Sequence, residues 1–146
     1  MSTAQSGGAA SPAGVVIERR VAWAETDASG HFHHSAVIRW VEEAEAVLQQ
    51  RLGLRLFGRL PRVHYEVDYL DRLWFDDRIE VGLDVAEVGR SSVRFAFEVR
   101  RDGTTAARGV MVAVHAASPS EGSAPWPDDV RAALLESGPQ RPELIG

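Results

Sequence analysis

The chain has 146 residues, 45% of them hydrophobic and 25% charged, which suits one globular domain with a real core and excludes wholesale disorder. A net charge of −5 lacks the basic face that nucleic-acid binding calls for, and the absence of cysteine removes disulfides, thiolate metal sites and a thiol nucleophile. No apolar run approaches the roughly 18 residues of a membrane helix, so the expectation is a cytoplasmic protein with no membrane partner.

Residues 1–14, rich in Ser, Gly and Ala, have neither a basic n-region nor an apolar h-region and are expected to form a flexible tail rather than a secretory signal. Val15 to Trp23 alternates as a strand, with Val15, Ile17, Val21 and Trp23 on one face. From Ser35 to Leu52 the period changes: Val37, Trp40, Val41, Ala44, Leu48 and Leu52 recur at three- and four-residue steps. Ser35 stands in the N-cap position and Gly53 at the C-terminal stop. The period then returns to two around Val63–Tyr69, Ile79–Val85, Val93–Val99 and Thr104–Ala116. Gly89 to Ser92 marks one hairpin turn, and Asp102-Gly103 marks another. Beyond Ser118 the chain is Pro/Ser/Gly-rich, with a short helix predicted around Asp128–Glu136 and a tail after it. These elements give an α+β domain over 15–117 in which one helix lays its apolar stripe on an antiparallel sheet, followed by a C-terminal extension over 118–146.

The chemistry concentrates between the first strand and the helix, in ETDASGHFHHS. Asp27 is a carboxylate suited to attack a carbonyl or to deprotonate water, Gly30 permits a sharp loop, and the helix that begins near Ser35 offers unpaired N–H groups and a positive dipole end to an oxyanion. An Asp in such a loop also commonly bonds its own backbone. His31, His33 and His34 could be metal ligands with Asp27, but their spacing matches no standard zinc pattern, and no metal is assigned. Trp40 is core packing or the wall of an acyl pocket. Pocket size would turn on how Trp40, Phe57 and Phe75 sit across protomers.

The run ETDASGHFHHSAVIRWVEEAE resembles the D-x-D-x-x-G-H-V-Y-H-x-N-Y-x-x-W-x-E-x-A-R signature of hotdog-fold thioesterases of the 4-hydroxybenzoyl-CoA thioesterase type. Residues from Val67 to Val99 also resemble that family's later strands, with Asp77 ahead of the third. The resemblance implies a sheet wrapped round the central helix and hydrolysis of an acyl-CoA or acyl-carrier-protein thioester. It implies Asp27 as nucleophile or general base, with the His34 N–H holding the oxyanion. Gly30, His31 and Ser35 complete the loop. No cofactor is expected beyond the CoA or phosphopantetheine of the substrate, and a homodimer or homotetramer is implied. Arg90, Ser91 and Ser92 are candidates to meet CoA phosphates. Glu25, Ala36, Val37 and Arg72 depart from the family pattern. Two alternatives stand beside this reading: a hotdog 3-hydroxyacyl-thioester hydratase or dehydratase, whose G-D-x-N-P-x-H motif is absent, and a non-catalytic acyl-thioester binding protein.

Overall fold

The computed structural model describes residues 10–56 and 58–146, so most of the predicted tail and the pocket role of Phe57 lie outside the described residues. Strand β1 (Gly14–Arg20) is followed by a 3-10 turn (Trp23–Glu25) and helix α1 (Ala36–Leu52). Strands β2 (Arg62–Tyr69), β3 (Arg78–Val88), β4 (Ser92–Arg101) and β5 (Thr104–Val114) come next, then helix α2 (Asp128–Glu136) and the short strand β6 (Glu143–Leu144). The sheet order is β2-β5-β4-β3-β1-β6, antiparallel except for the β1–β6 pair.

Two turns set the register of the large hairpins. Asp102 and Gly103 both take left-handed conformations (φ 50° and 78°), the pairing that lets a two-residue loop follow the strand twist. The β3–β4 turn closes through Gly89 N–H to Ser92 O at 2.8 Å. The inner face of the sheet then presents Ile17, Val81, Leu83, Phe95, Phe97, Val99 and Met111, all buried, to the Val37, Trp40, Val41, Ala44 and Leu48 stripe of α1. Each such aliphatic side chain contributes about 1.5–3 kcal/mol by leaving water. This is the hotdog arrangement: one long helix on the concave face of an antiparallel sheet, with the helix N-terminus delivered to one end of it.

Three expectations need correction. The first strand ends at Arg20, because the chain turns at Ala22 into the 3-10 turn, leaving Trp23 70% exposed rather than on the core face. Ser35 occupies the N-cap position without capping: its backbone is already helical (φ −68°, ψ −16°), and its hydroxyl pairs with His33 Nδ1 at 2.8 Å. The predicted tail after α2 instead covers the free edge of β1, with Gln140 N–H on Gly14 O (2.7 Å) and Ile145 N–H on Glu18 O (2.8 Å). A strand with unpaired backbone groups is a template for another strand, and composition alone does not announce that pairing. Gly53, by contrast, ends α1 in the left-handed conformation expected of it (φ 70°).

Candidate active site

The ETDASGHFH segment folds as a miniature hairpin. Asp27 N–H donates to His31 O (2.9 Å), His33 N–H to Glu25 O (2.7 Å), and Thr26 faces Phe32 as a β-bridge. Gly30 sits at the bend with φ +93°, a conformation that favours glycine. The hairpin is fastened from below. Phe32 N–H donates to Leu73 O at 2.7 Å, and the Trp74 ring stands edge-on to the His31 ring at 5.7 Å. Glu25 Oε1 accepts the Ala22 N–H (2.8 Å) and pairs with Arg19 Nη2 (2.6 Å), while the other terminal nitrogen of Arg19 reaches Glu43 on α1. The glutamate that replaces the more usual aspartate is therefore a fastener: it ties the loop to β1 and, through Arg19, to the helix.

Within this frame Asp27 is half-buried and held at one oxygen. Its Oδ1 accepts the Ser29 N–H at 2.8 Å and the Ser29 hydroxyl. Its Oδ2 lies 3.8 Å from His31 Nδ1. The loop-internal bonding that a bare aspartate would suggest is thus present, and it leaves the second oxygen available. The Ser29 hydroxyl, then the Ser29 N–H, hold the carboxyl below the ordinary aspartate range against a smaller effect of burial, and positive charge on His31 or His33 would add to this. At neutral pH Asp27 is a carboxylate.

The start of α1 lies beside it. Ala36 N–H donates to His33 O at 2.9 Å, whereas the His34 N–H has no hydrogen-bond partner among the described residues. His33 Nδ1 accepts the Ser35 N–H at 3.2 Å. Asp27, His31, His34, Phe32, Tyr69 and Arg72 share a cavity of about 380 Å³. Asp27, a carboxylate, and His34, whose N–H ahead of α1 has no partner among the described residues, thus line one space, and these are the kinds of group that acyl transfer pairs.

The fold brings Asp27, Gly30, His31, His34 and Ser35 together. Trp40 lies beneath them, fully buried, its ring 5.9 Å from Phe32 and 5.6 Å from the Arg19 guanidinium, so it supports the cavity floor rather than lining it. Arg90, Ser91 and Ser92 are not brought to this loop. They lie past the far end of β3, an 11-residue strand whose near end adjoins the loop, and so roughly 30 Å away along it. Their carbonyls accept Trp126 N–H (3.1 Å, to Arg90), His115 N–H (2.6 Å, to Ser91) and Trp126 Nε1–H (3.0 Å, to Ser92), which makes the turn a docking point for the C-terminal segment. Among the described residues no three His, Cys, Asp or Glu side chains gather as a metal site, and no helix is long and apolar enough to cross a membrane.

Sequence reasoning did not single out Tyr69, Phe32 or Arg19. Tyr69 OH donates to His34 O at 2.9 Å, and its ring lies 6.2 Å from Phe32. In the sequence each of these is one more residue of an alternating strand or loop, and only the fold makes them neighbours.

Comparison with known families places the chain. The profile of the thioesterase-like superfamily matches residues 21–134, most of the chain and all of the site. The chain belongs to the thioesterase-like superfamily. Its enzyme class is thioester hydrolase. A putative esterase of Aquifex aeolicus (strain VF5) is 30% identical over 100 residues, which is 64% of this chain and 77% of the relative. A 1,4-dihydroxy-2-naphthoyl-CoA hydrolase of Prochlorococcus marinus (strain NATL2A) is 27% identical over 101 residues, 60% of this chain and 65% of that protein. Among solved structures, a Thermus thermophilus thioesterase complexed with coenzyme A and Zn superposes with a TM-score of 0.75 at 27% identity, over 82% of this chain and 90% of that one.

Proposed function

We propose that this thioesterase-superfamily member hydrolyses an acyl-CoA or acyl-carrier-protein thioester, with Asp27 supplying the carboxylate and the His34 N–H holding the oxyanion. The observation that carries the reading is the shared cavity, lined both by the ionised Asp27, whose Oδ2 accepts no hydrogen bond, and by His34, whose N–H has no partner, among the described residues. The carboxylate either adds to the thioester carbonyl or takes a proton from the water that adds. In both routes the carbonyl oxygen gains charge beside the positive end of α1, and the C–S bond breaks to release a thiolate; in the first, water then cleaves the acyl–Asp27 anhydride to free the acid and restore the carboxylate. The His34 ring, exposed at the cavity, is placed to orient the thioester or to return a proton to the departing sulfur. A thiolate leaves readily, so this chemistry draws on the chain's own groups alone. The CoA thioester class is supported by the relatives, one a CoA thioester hydrolase and another crystallised with coenzyme A.

A homo-oligomer accompanies this reading. Strand β2 is a free edge of the sheet, and its unpaired backbone groups are a template on which a second copy of the chain can pair.

Free-thiol release from a panel of acyl-CoAs and acyl-carrier-protein thioesters, for the wild type and Asp27→Asn, tests the proposal. The substitution keeps the Ser29 bond to the side-chain oxygen and removes the charge. A fall of about 10²–10⁴-fold is expected, the size of a lost acid–base group. Release that ignores Asp27 would place the site elsewhere, and no release from any thioester would leave an acyl-binding role.

A further inference from the structure

We infer that Tyr69 is a positioning residue of this site, holding the His34 peptide in the orientation that aims its N–H at the cavity. The inference rests on the assignment of that N–H as the oxyanion donor. Two peptide planes meet at the His34 Cα. The plane that contains the His34 N–H is fixed through its own carbonyl, since His33 O accepts the Ala36 N–H at 2.9 Å. The following plane carries the His34 carbonyl, which lies just ahead of α1 and takes no backbone donor among the described residues; it accepts Tyr69 OH at 2.9 Å. With both planes anchored, the His34 N–H has one direction. The Ser35 N–H of that second plane reaches His33 Nδ1 only at the longer 3.2 Å, so without the phenol this plane keeps one weak tie, and rotation about the His34 Cα loosens the backbone that carries the donor.

Tyr69 is suited to this by its place in the fold. It is the last residue of β2, paired with Ala107 of β5, so the sheet fixes its backbone. Its ring continues an aromatic series from Trp40 through Phe32, at 5.9 and 6.2 Å, that joins helix, loop and edge strand. Burial raises the phenol above its ordinary value, so it remains a donor at every pH at which the enzyme would be assayed. The bond spans 35 positions in sequence and ties the edge strand to the loop that carries Asp27.

Tyr69→Phe removes the donor and keeps the ring, while Tyr69→Leu removes both. For Tyr69→Phe we expect kcat to fall about tenfold with KM within about twofold, an unchanged urea midpoint, and lower backbone ¹⁵N order parameters at His34 and Ser35. Tyr69→Leu should lower the urea midpoint as well. Wild-type kcat in Tyr69→Phe, unchanged order parameters, or a loss confined to KM, which would make Tyr69 a substrate contact, overturns the inference. If the wild type releases no thiol from any thioester, the functional reading fails on its own, and the order parameters still decide whether Tyr69 fixes the His34 peptide.

Discussion

Arg19 is the best place to ask how firmly the hairpin that carries Asp27 must be held. Its side chain is 9% exposed and that of Glu25 is 13% exposed, so this pair is largely removed from water, while Glu43 at 39% is not. Arg19→Met keeps the length of the stem and deletes the charge. Glu25 would then retain only the Ala22 N–H at 2.8 Å. Breaking a buried pair from one side costs about 3–5 kcal/mol, and the residual N–H bond argues for the lower end, about 3 kcal/mol. Loss of the guanidinium over Trp40 is included in that figure. For a domain of this size each kcal/mol moves Tm by roughly 3–4 °C, so the midpoint should drop by about 10 °C.

The reverse change is milder. Glu25→Gln leaves Arg19 paired with Glu43, and the amide oxygen it introduces can still accept the Ala22 N–H, so about 1 kcal/mol is expected. The double variant removes both charges together and should recover about 1–2 kcal/mol relative to Arg19→Met alone. Urea titration of the four proteins, closed as a double-mutant cycle, measures this. A cost below about 1 kcal/mol for Arg19→Met, or a double variant no more stable than Arg19→Met, would refute the reasoning that Glu25 is stranded when Arg19 goes.

Two further outcomes follow from single contacts. Ser29→Ala removes the group most responsible for holding Asp27 below the ordinary aspartate value. A carboxylate with a depressed folded value stays charged to lower pH, so the wild-type acid limb of kcat/KM should lie below 3.8 and move upward in Ser29→Ala; a limb that does not move is not set by Asp27. Gly109→Ala puts a methyl group 1.9 Å from Glu66 O and 2.8 Å from the Phe97 ring, so β2 must part from β5. The expected loss is at least about 3 kcal/mol in a urea titration, and a near-wild-type midpoint would mean the edge strand sits more loosely than its pairing implies.

The parts of this protein that were legible in its sequence are those governed by local rules. The three- and four-residue spacing of Val37, Trp40, Val41, Ala44 and Leu48 is the α1 core stripe itself, and Asp102-Gly103 is a hairpin turn because few other dipeptides accept two left-handed residues. The placement of Asp27 before a glycine bend and a helix start could be read for the same reason: a helix N-terminus declares its polarity wherever it occurs. What could not be read depends on contacts between distant segments. Periodicity put Trp23 on the core face, but the Arg19–Glu25 tie and the turn at Ala22 end that strand early. The Arg90–Ser92 turn carries an arginine beside two serines, which is as much as the sequence says of it; that its carbonyls accept from His115 and Trp126, more than twenty residues downstream, only the fold reveals.

Tyr69 makes the same point from the other side. In β2 it alternates with its neighbours like any strand residue, and its bond to His34 exists only because the edge strand passes the start of α1. Residues that make bonds to substrate have to be particular kinds of side chain in particular local settings, and so leave a signature. Residues that hold those groups in place need only reach them. The second kind becomes visible when every backbone carbonyl near the site is asked for its donor, and the carbonyl of His34 answers with a phenol from the far side of the cavity.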